Sequence, residues 1–153
     1  MTETSAQAWL LEFNRQQVAA VGLHELLEVL SRPKLYHVPM SGTRSHHVLV
    51  WRDEILPVVG FGGDGESEIE DGVFGAAVTA IAVYQTVPGE PLRHGALQLS
   101  GMPKTVTVAD NMACALPETR SPVGDLAISC FFYENFAVPV IDLTRVFERA
   151  LDK

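Results

Sequence analysis

The sequence predicts a mainly β protein, arranged as two small barrels or a folded pair of sheets. Three observations carry that prediction. Apolar runs are short and end at turn residues, helical spacing is confined to a few brief stretches, and one strand-turn-strand pattern occurs twice. The later copy is the clearer. Between Gly124 and Val146, the runs Leu126 to Tyr133 and Phe136 to Leu143 are rich in strand formers and are separated by Glu134-Asn135, which spells a tight antiparallel hairpin. The earlier copy lies within Ser45 to Phe61. Beyond its polar break it reads Ile55-Leu56-Pro57-Val58-Val59, against Ala137-Val138-Pro139-Val140-Ile141 in the later one.

Taken in order, residues 1–8 are expected to be a flexible N-terminus, because Met1 to Gln7 is polar. Trp9 to Phe13 and Val18 to Leu23 form a first hairpin about Asn14 to Gln17. From His24 to Leu30 the spacing of Leu26, Leu27 and Leu30 predicts a short helix, which Pro33 stops. Leu35 to Val38 is extended, and Ser41 to Ser45 has turn chemistry. Gly62 to Gly72 holds five carboxylates and four glycines, so it is expected as a solvated acidic loop between two subdomains of one domain, 9–153. Phe74 to Val87 resumes as a long strand whose small residues permit close packing. His94 to Ser100 and Thr105 to Val108 are further strands, the second alternating so that one face is wet. Ala109 to Ala115 fits a short helix or a strand equally well. At the end, Leu143, Val146, Phe147, Ala150 and Leu151 recur at i, i+3, i+4, i+7 and i+8, an amphipathic helix that docks on the β structure.

Composition narrows the function. A chain of 153 residues is one domain by length and buries about 68–70% of its unfolded surface without staples. The net charge of -8 and pI near 5.0 argue against a nucleic-acid surface, which runs on clustered Lys and Arg. Mean hydropathy of +0.15 is slightly high for a soluble chain, consistent with apolar surface turned to a partner. Cys114 and Cys130 form no CxxC pair and have no His at a zinc-ligand spacing, so two free thiols in a reducing cytosol are expected. No basic region with an apolar run follows Met1, and no apolar run approaches the roughly 18 residues of a membrane span, so the expected location is cytoplasmic without direct membrane insertion.

Residues that suggest chemistry have plainer readings. Asp64, Glu66, Glu68, Glu70 and Asp71 do not follow the spacing of a calcium loop. His46 and His47 are strand neighbours that point to opposite faces and do not share one ion. Ser129 and Cys130 lie in an apolar strand without a G-x-S-x-G turn or a marked base, and Gly60, Gly62, Gly63 and Gly65 lack a GK[ST] continuation. No catalytic residue, metal ligand or cofactor site is assigned.

The order hairpin, GLHELLEVL, PKLYHVP, HHVLVWRDEILPVV, acidic loop, long strand and FFYENFAVPVIDLTRVF resembles the CheW-like adaptor family, from about Trp9 to Leu151. That resemblance implies two five-stranded β-barrels in one domain, a C-terminal helix and no catalysis. It also implies a coupling role between the cytoplasmic tip of a chemoreceptor and the regulatory domain of a CheA-type histidine kinase, hence recruitment to membrane-bound receptor arrays. Glu28 in LLEVL and Arg52 fall where the family has a Glu and the Arg of an NLRG turn, which implies an Arg52–Glu28 ion pair beside the partner surfaces. A pair of that kind contributes about 0.2–1 kcal/mol. The chain departs from the family where Asp53 replaces the turn glycine, and where Gly60-Phe61 replaces an Asp-Leu that the later copy keeps as Asp142-Leu143. Those departures suggest a divergent member, such as one serving a pilus-linked or accessory pathway.

The expected partner surface comprises Glu28, Val50, Trp51, Arg52, Asp53 and Val58. Trp51 beside Arg52 is the most informative element, since Trp and Arg are enriched among interface anchors. Two other readings compete with the adaptor: a β-barrel that binds or transforms a small molecule, and a structural spacer that has lost kinase binding.

Overall fold

The computed structural model describes residues 5–14, 17–31, 33–38, 47–61, 78–116 and 124–150. In chain order the elements are β1 (Ser5–Asn14), β2 (Gln17–Gly22), β3 (Leu26–Ser31), β4 (Tyr36–His37), β5 (His47–Trp51), β6 (Glu54–Val59), β7 (Val78–Tyr84), β8 (Arg93–Leu99), β9 (Lys104–Ala109), β10 (Ala127–Tyr133), β11 (Phe136–Ile141) and α1 (Leu143–Ala150). Short 3-10 turns occupy Leu23–Glu25, Asp110–Met112 and Gly124–Leu126.

These strands form two sheets. The first has the order β10-β11-β2-β1-β9, and the second β3-β7-β8-β6-β5-β4. Apart from β4, the two are the same arrangement: β5, β6, β8, β7 and β3 stand where β10, β11, β2, β1 and β9 stand, with the same strand directions. The repeated Pro-Val lies at the matching point in each. Val140 pairs in parallel with Ala20, and Val58 in parallel with Ala96. The duplication seen in the sequence is therefore a duplication of architecture, entered at a different point. The N-terminal hairpin β1–β2 completes the sheet begun by β9, β10 and β11, so the chain leaves the first sheet after β2 and returns at β9. An isolated bridge, Ala113 to Phe131, brings the far edges of the five-stranded sheet together.

Four expectations need correction. Ser5 to Ala8, expected as flexible, pair with Ala109 to Val106, because ladder bonds belong to the backbone and polar side chains do not prevent them; residues 1–4 lie outside the described residues. The predicted helix from His24 to Leu30 is one 3-10 turn followed by β3. A short apolar run serves either structure, and here the antiparallel partner β7, with a register shift between Leu26 and Glu28, supplies the backbone bonds. The second sheet has six strands, not five, since Tyr36 and His37 add an edge to β5. The acidic segment 62–72 lies outside the described residues, but its flanking strands β6 and β7 belong to one sheet, so it does not join the two subdomains.

The largest apolar cluster draws on both sheets and the helix. Leu11, Phe13, Ala19 and Val21 of the first hairpin meet Val59, Ala80, Ala82, Leu97 and Leu99 of the six-stranded sheet and Phe61 just beyond β6, with Leu143, Val146 and Phe147 of α1 filling the space. Asp142 starts that helix. Its Oδ1 accepts the Thr144 N–H at 3.1 Å and its backbone carbonyl accepts the Val146 N–H at 3.0 Å, the arrangement of an N-cap. The first copy has Gly60 there, with no side chain to cap, and Phe61 enters the core against Phe13 with ring centroids 4.5 Å apart.

Glu25 is held at this junction. Its Oε1 accepts the Gly22 N–H at 2.6 Å. Burial raises its pKa, the Gly22 bond works against the shift, and the Asp142 carboxylate adds to it. A carboxyl raised in the folded state binds its proton more tightly folded than unfolded. Its stabilising contribution is complete below the ordinary carboxylate pKa and is lost as pH rises through the raised value. Glu25→Gln, which keeps an acceptor for Gly22, is expected to flatten the pH dependence of stability on the acidic side of neutrality. Urea melts at a series of pH values check this.

Candidate interaction surface

The earlier hairpin, β5–β6, turns through Arg52 and Asp53, both in the left-handed region at φ 48° and 64°. Glu134 and Asn135 turn the later hairpin in the same way, at 47° and 71°. Two successive residues of positive φ define a type I′ turn, whose twist matches that of the strands it joins. Such a turn sets the register: Trp51 stands opposite Glu54, and Val50 opposite Ile55. Asp tolerates this backbone less well than Gly. Asp53→Gly is therefore expected to stabilise the fold by about 0.5–1 kcal/mol, read by chemical denaturation.

Strand alternation then divides the hairpin into an inner and an outer face. Leu49, Trp51, Leu56 and Val58 turn inward and pack with Leu35, Ile81 and Ala96. Val50 and Ile55 turn outward and are 58% and 69% exposed. Two expected contact residues are therefore misplaced. Val58 is only 2% exposed and belongs to the core cluster of Leu35, Leu49, Leu56, Ile81 and Ala96. Trp51, expected as an exposed anchor, is 7% exposed, because strand alternation turns it to the same face as Leu49, where it joins the cluster of Leu35, Leu56, Ile81 and Ala96.

Trp51 nonetheless organises the charges. Its Nε1–H donates to Glu28 Oε2 at 2.5 Å, tying the hairpin to β3 across 23 positions of sequence. The Arg52 guanidinium lies 4.5 Å from the indole centroid, within cation–π range. His94 of β8 packs on the same ring at 5.2 Å and lies 3.5 Å from Glu54 through Nδ1. The implied Arg52–Glu28 ion pair does not form among the described residues. Glu28 is engaged at the edge of the indole and Arg52 over its face, so the two charges are linked through Trp51.

Glu28, Trp51, Arg52 and Asp53 are thus brought together, with Val50 beside them on the outer face. Ile55, Glu54 and His94 complete the group, although none of them was among the expected contact residues. Ile55 was within reach of it: a two-residue turn at Arg52-Asp53 places Ile55 across from Val50 by counting alone. His94 was not, since only the parallel pairing of β6 with β8 brings it near. The later hairpin exposes Phe132 at the position matching Val50, with Phe136 and Tyr133 in edge-to-face contact beside it.

This arrangement presents an apolar pair with charged surroundings and a rigid base, which suits protein contact. Among the described residues no group of three or more His, Cys, Asp or Glu side chains is placed to hold a metal ion, and no helix is long and apolar enough to cross a membrane.

No protein-family model matches the sequence, and no curated protein matches it. Among solved structures it is similar to the scaffolding protein TtCheW from Thermoanaerobacter tengcongensis, with a TM-score of 0.68 over 94% of this chain and 88% of that one, at 12% sequence identity. The chain therefore has the CheW-like fold that its order of segments resembled, as a divergent example of it.

Proposed function

We propose that this protein is a non-enzymatic adaptor of a bacterial chemosensory complex, coupling a chemoreceptor tip to the regulatory domain of a CheA-type histidine kinase from the cytoplasmic side. The observation that carries the reading is the outward Val50–Ile55 pair on a hairpin whose base is set by Trp51, Glu28 and Arg52. Exposed apolar residues with a rigid aromatic support and flanking charges are the make-up of a protein-binding patch. The likeness to a CheW scaffolding protein over nearly the whole chain supports the same reading. In mechanism such an adaptor is geometric: two surfaces on one rigid body hold two partners at a fixed separation, and a receptor with two states biases the kinase through that contact. The divergence in the first copy, at Asp53 and Gly60-Phe61, is consistent with a pilus-linked or accessory array.

A ligand-binding barrel has weaker support. A cleft at the seam of the five-stranded sheet measures about 270 Å³, at the small end of ligand pockets, which run from about 300 Å³ upward. The deciding measurement is calorimetric titration against the regulatory domain of a CheA-type kinase from the same genome. Binding in the micromolar range, about −8 kcal/mol, is expected. Arg52→Glu, which loses the indole contact and reverses the charge beside Val50, is expected to weaken it about tenfold with the fold retained. A folded wild-type protein that binds neither the kinase domain nor a receptor tip would refute the adaptor reading.

A further inference from the structure

Away from that hairpin, two cysteines 16 positions apart in sequence meet. Cys114 and Cys130 are free thiols whose Sγ atoms lie 2.9 Å apart. Their backbones are joined as well: the Cys114 N–H donates to the Cys130 carbonyl at 3.1 Å, next to the Ala113–Phe131 bridge. That register sets the two residues opposite one another as a hydrogen-bonded antiparallel pair. Such pairs have Cα atoms about 5.5 Å apart, inside the 4.4–6.8 Å window that a disulfide spans. The pair lies where the edges of the five-stranded sheet meet. The cleft at this seam is lined by Asp110, Ala113, Ser129, Cys130 and Phe131, so solvent approaches Cys130 although its side chain is buried.

We propose that Cys114 and Cys130 are a redox-sensitive modification site, which hydrogen peroxide or a related small hydroperoxide converts into an intrachain disulfide that locks this seam. The order of events follows from burial. Desolvation, with the neighbouring Cys114, pushes the Cys130 thiol up to about 12, so Cys130 keeps its proton at neutral pH. Cys114 is half-buried and is the sulfur that meets the oxidant. Its thiolate attacks one peroxide oxygen: an S–O bond forms, the O–O bond breaks, and the departing hydroxide leaves as water with the proton that Cys114 released. The Cys130 sulfur then attacks the Cys114 sulfur. The S–S bond forms, the S–O bond breaks, and the Cys130 proton leaves with the hydroxide as a second water. Two thiols and one peroxide yield one disulfide and two waters, the sulfurs losing the two electrons that the peroxide gains. Intracellular disulfides of this kind are characteristically transient and redox-sensing.

The site stands independently of the adaptor reading, and its test needs no partner. The reduced full chain is treated with graded hydrogen peroxide, unfolded, labelled with a maleimide and mapped by mass spectrometry without reduction. Loss of both thiols together, a cross-linked Cys114–Cys130 peptide and recovery of both thiols with dithiothreitol are expected. The closed loop is short, so Tm is expected to rise by about 6–12 °C on oxidation. Cys114→Ser and Cys130→Ser are each expected to lose that rise. Two thiols that still label after treatment, oxidation of either sulfur to sulfinic acid without cross-linking, disulfides between chains only, or a Tm rise that survives in Cys114→Ser would each overturn the proposal.

Discussion

Replacing Phe147 with alanine is expected to destabilise the protein by about 3–5 kcal/mol, the range for removing a fully buried aromatic side chain. The ring has no exposed surface and stacks on Tyr84, with centroids 5.1 Å apart and planes 13° from parallel. It rests on Gly95 of β8, where an added Cβ would overlap the ring, and it occupies the cluster shared by both sheets. The cavity therefore opens at the junction of the two halves, where neither sheet can close over it alone. Denaturant melts followed by fluorescence and circular dichroism measure the loss, and a change below 1 kcal/mol would contradict the packing described. Gly95→Ala tests the same contact from the other side, by overpacking, at about 1–3 kcal/mol. Because the two residues touch, Gly95→Ala combined with Phe147→Leu is expected to cost less than the sum of the single changes.

Ile55→Asp is expected to do the opposite: to leave stability within about 0.5 kcal/mol and to abolish most partner binding. Ile55 is the most exposed large apolar residue among those described and stands across from Val50 on the outer face of the hairpin. A carboxylate there disturbs no core contact, which is why the fold is spared. In a complex the same carboxylate is desolvated against an apolar surface, and removal of a central anchor of this kind costs about 2 kcal/mol or more, roughly thirtyfold in affinity. Val50→Asp is expected to behave alike. Titration of the kinase regulatory domain with wild type and variant, beside their melting curves, checks both halves of the prediction. Full binding by Ile55→Asp would move the contact surface elsewhere, with the exposed Phe132 and Phe136 of the later hairpin the next place to look.

The features legible from the residues alone are local or repeated. The hairpins at Arg52-Asp53 and Glu134-Asn135 are legible because a polar break of turn-tolerant residues between apolar runs admits few other backbones. The duplication is legible because Pro57-Val58 and Pro139-Val140 recur in the same context. The C-terminal helix is legible because Leu143, Val146 and Phe147 keep helical spacing behind a capping Asp142. Tertiary structure alone decided the rest. Whether Leu26 to Leu30 became helix or strand depended on β7 lying beside it, about 50 residues later. The burial of Trp51 and Val58 depended on β8, and the meeting of Cys114 with Cys130 on a bridge that joins the two edges of one sheet. The physical reason is common to these cases. Side-chain period and turn chemistry act over a few residues, whereas strand pairing exchanges hydrogen bonds between segments of any separation, so the second face of every strand is assigned only when its neighbours arrive.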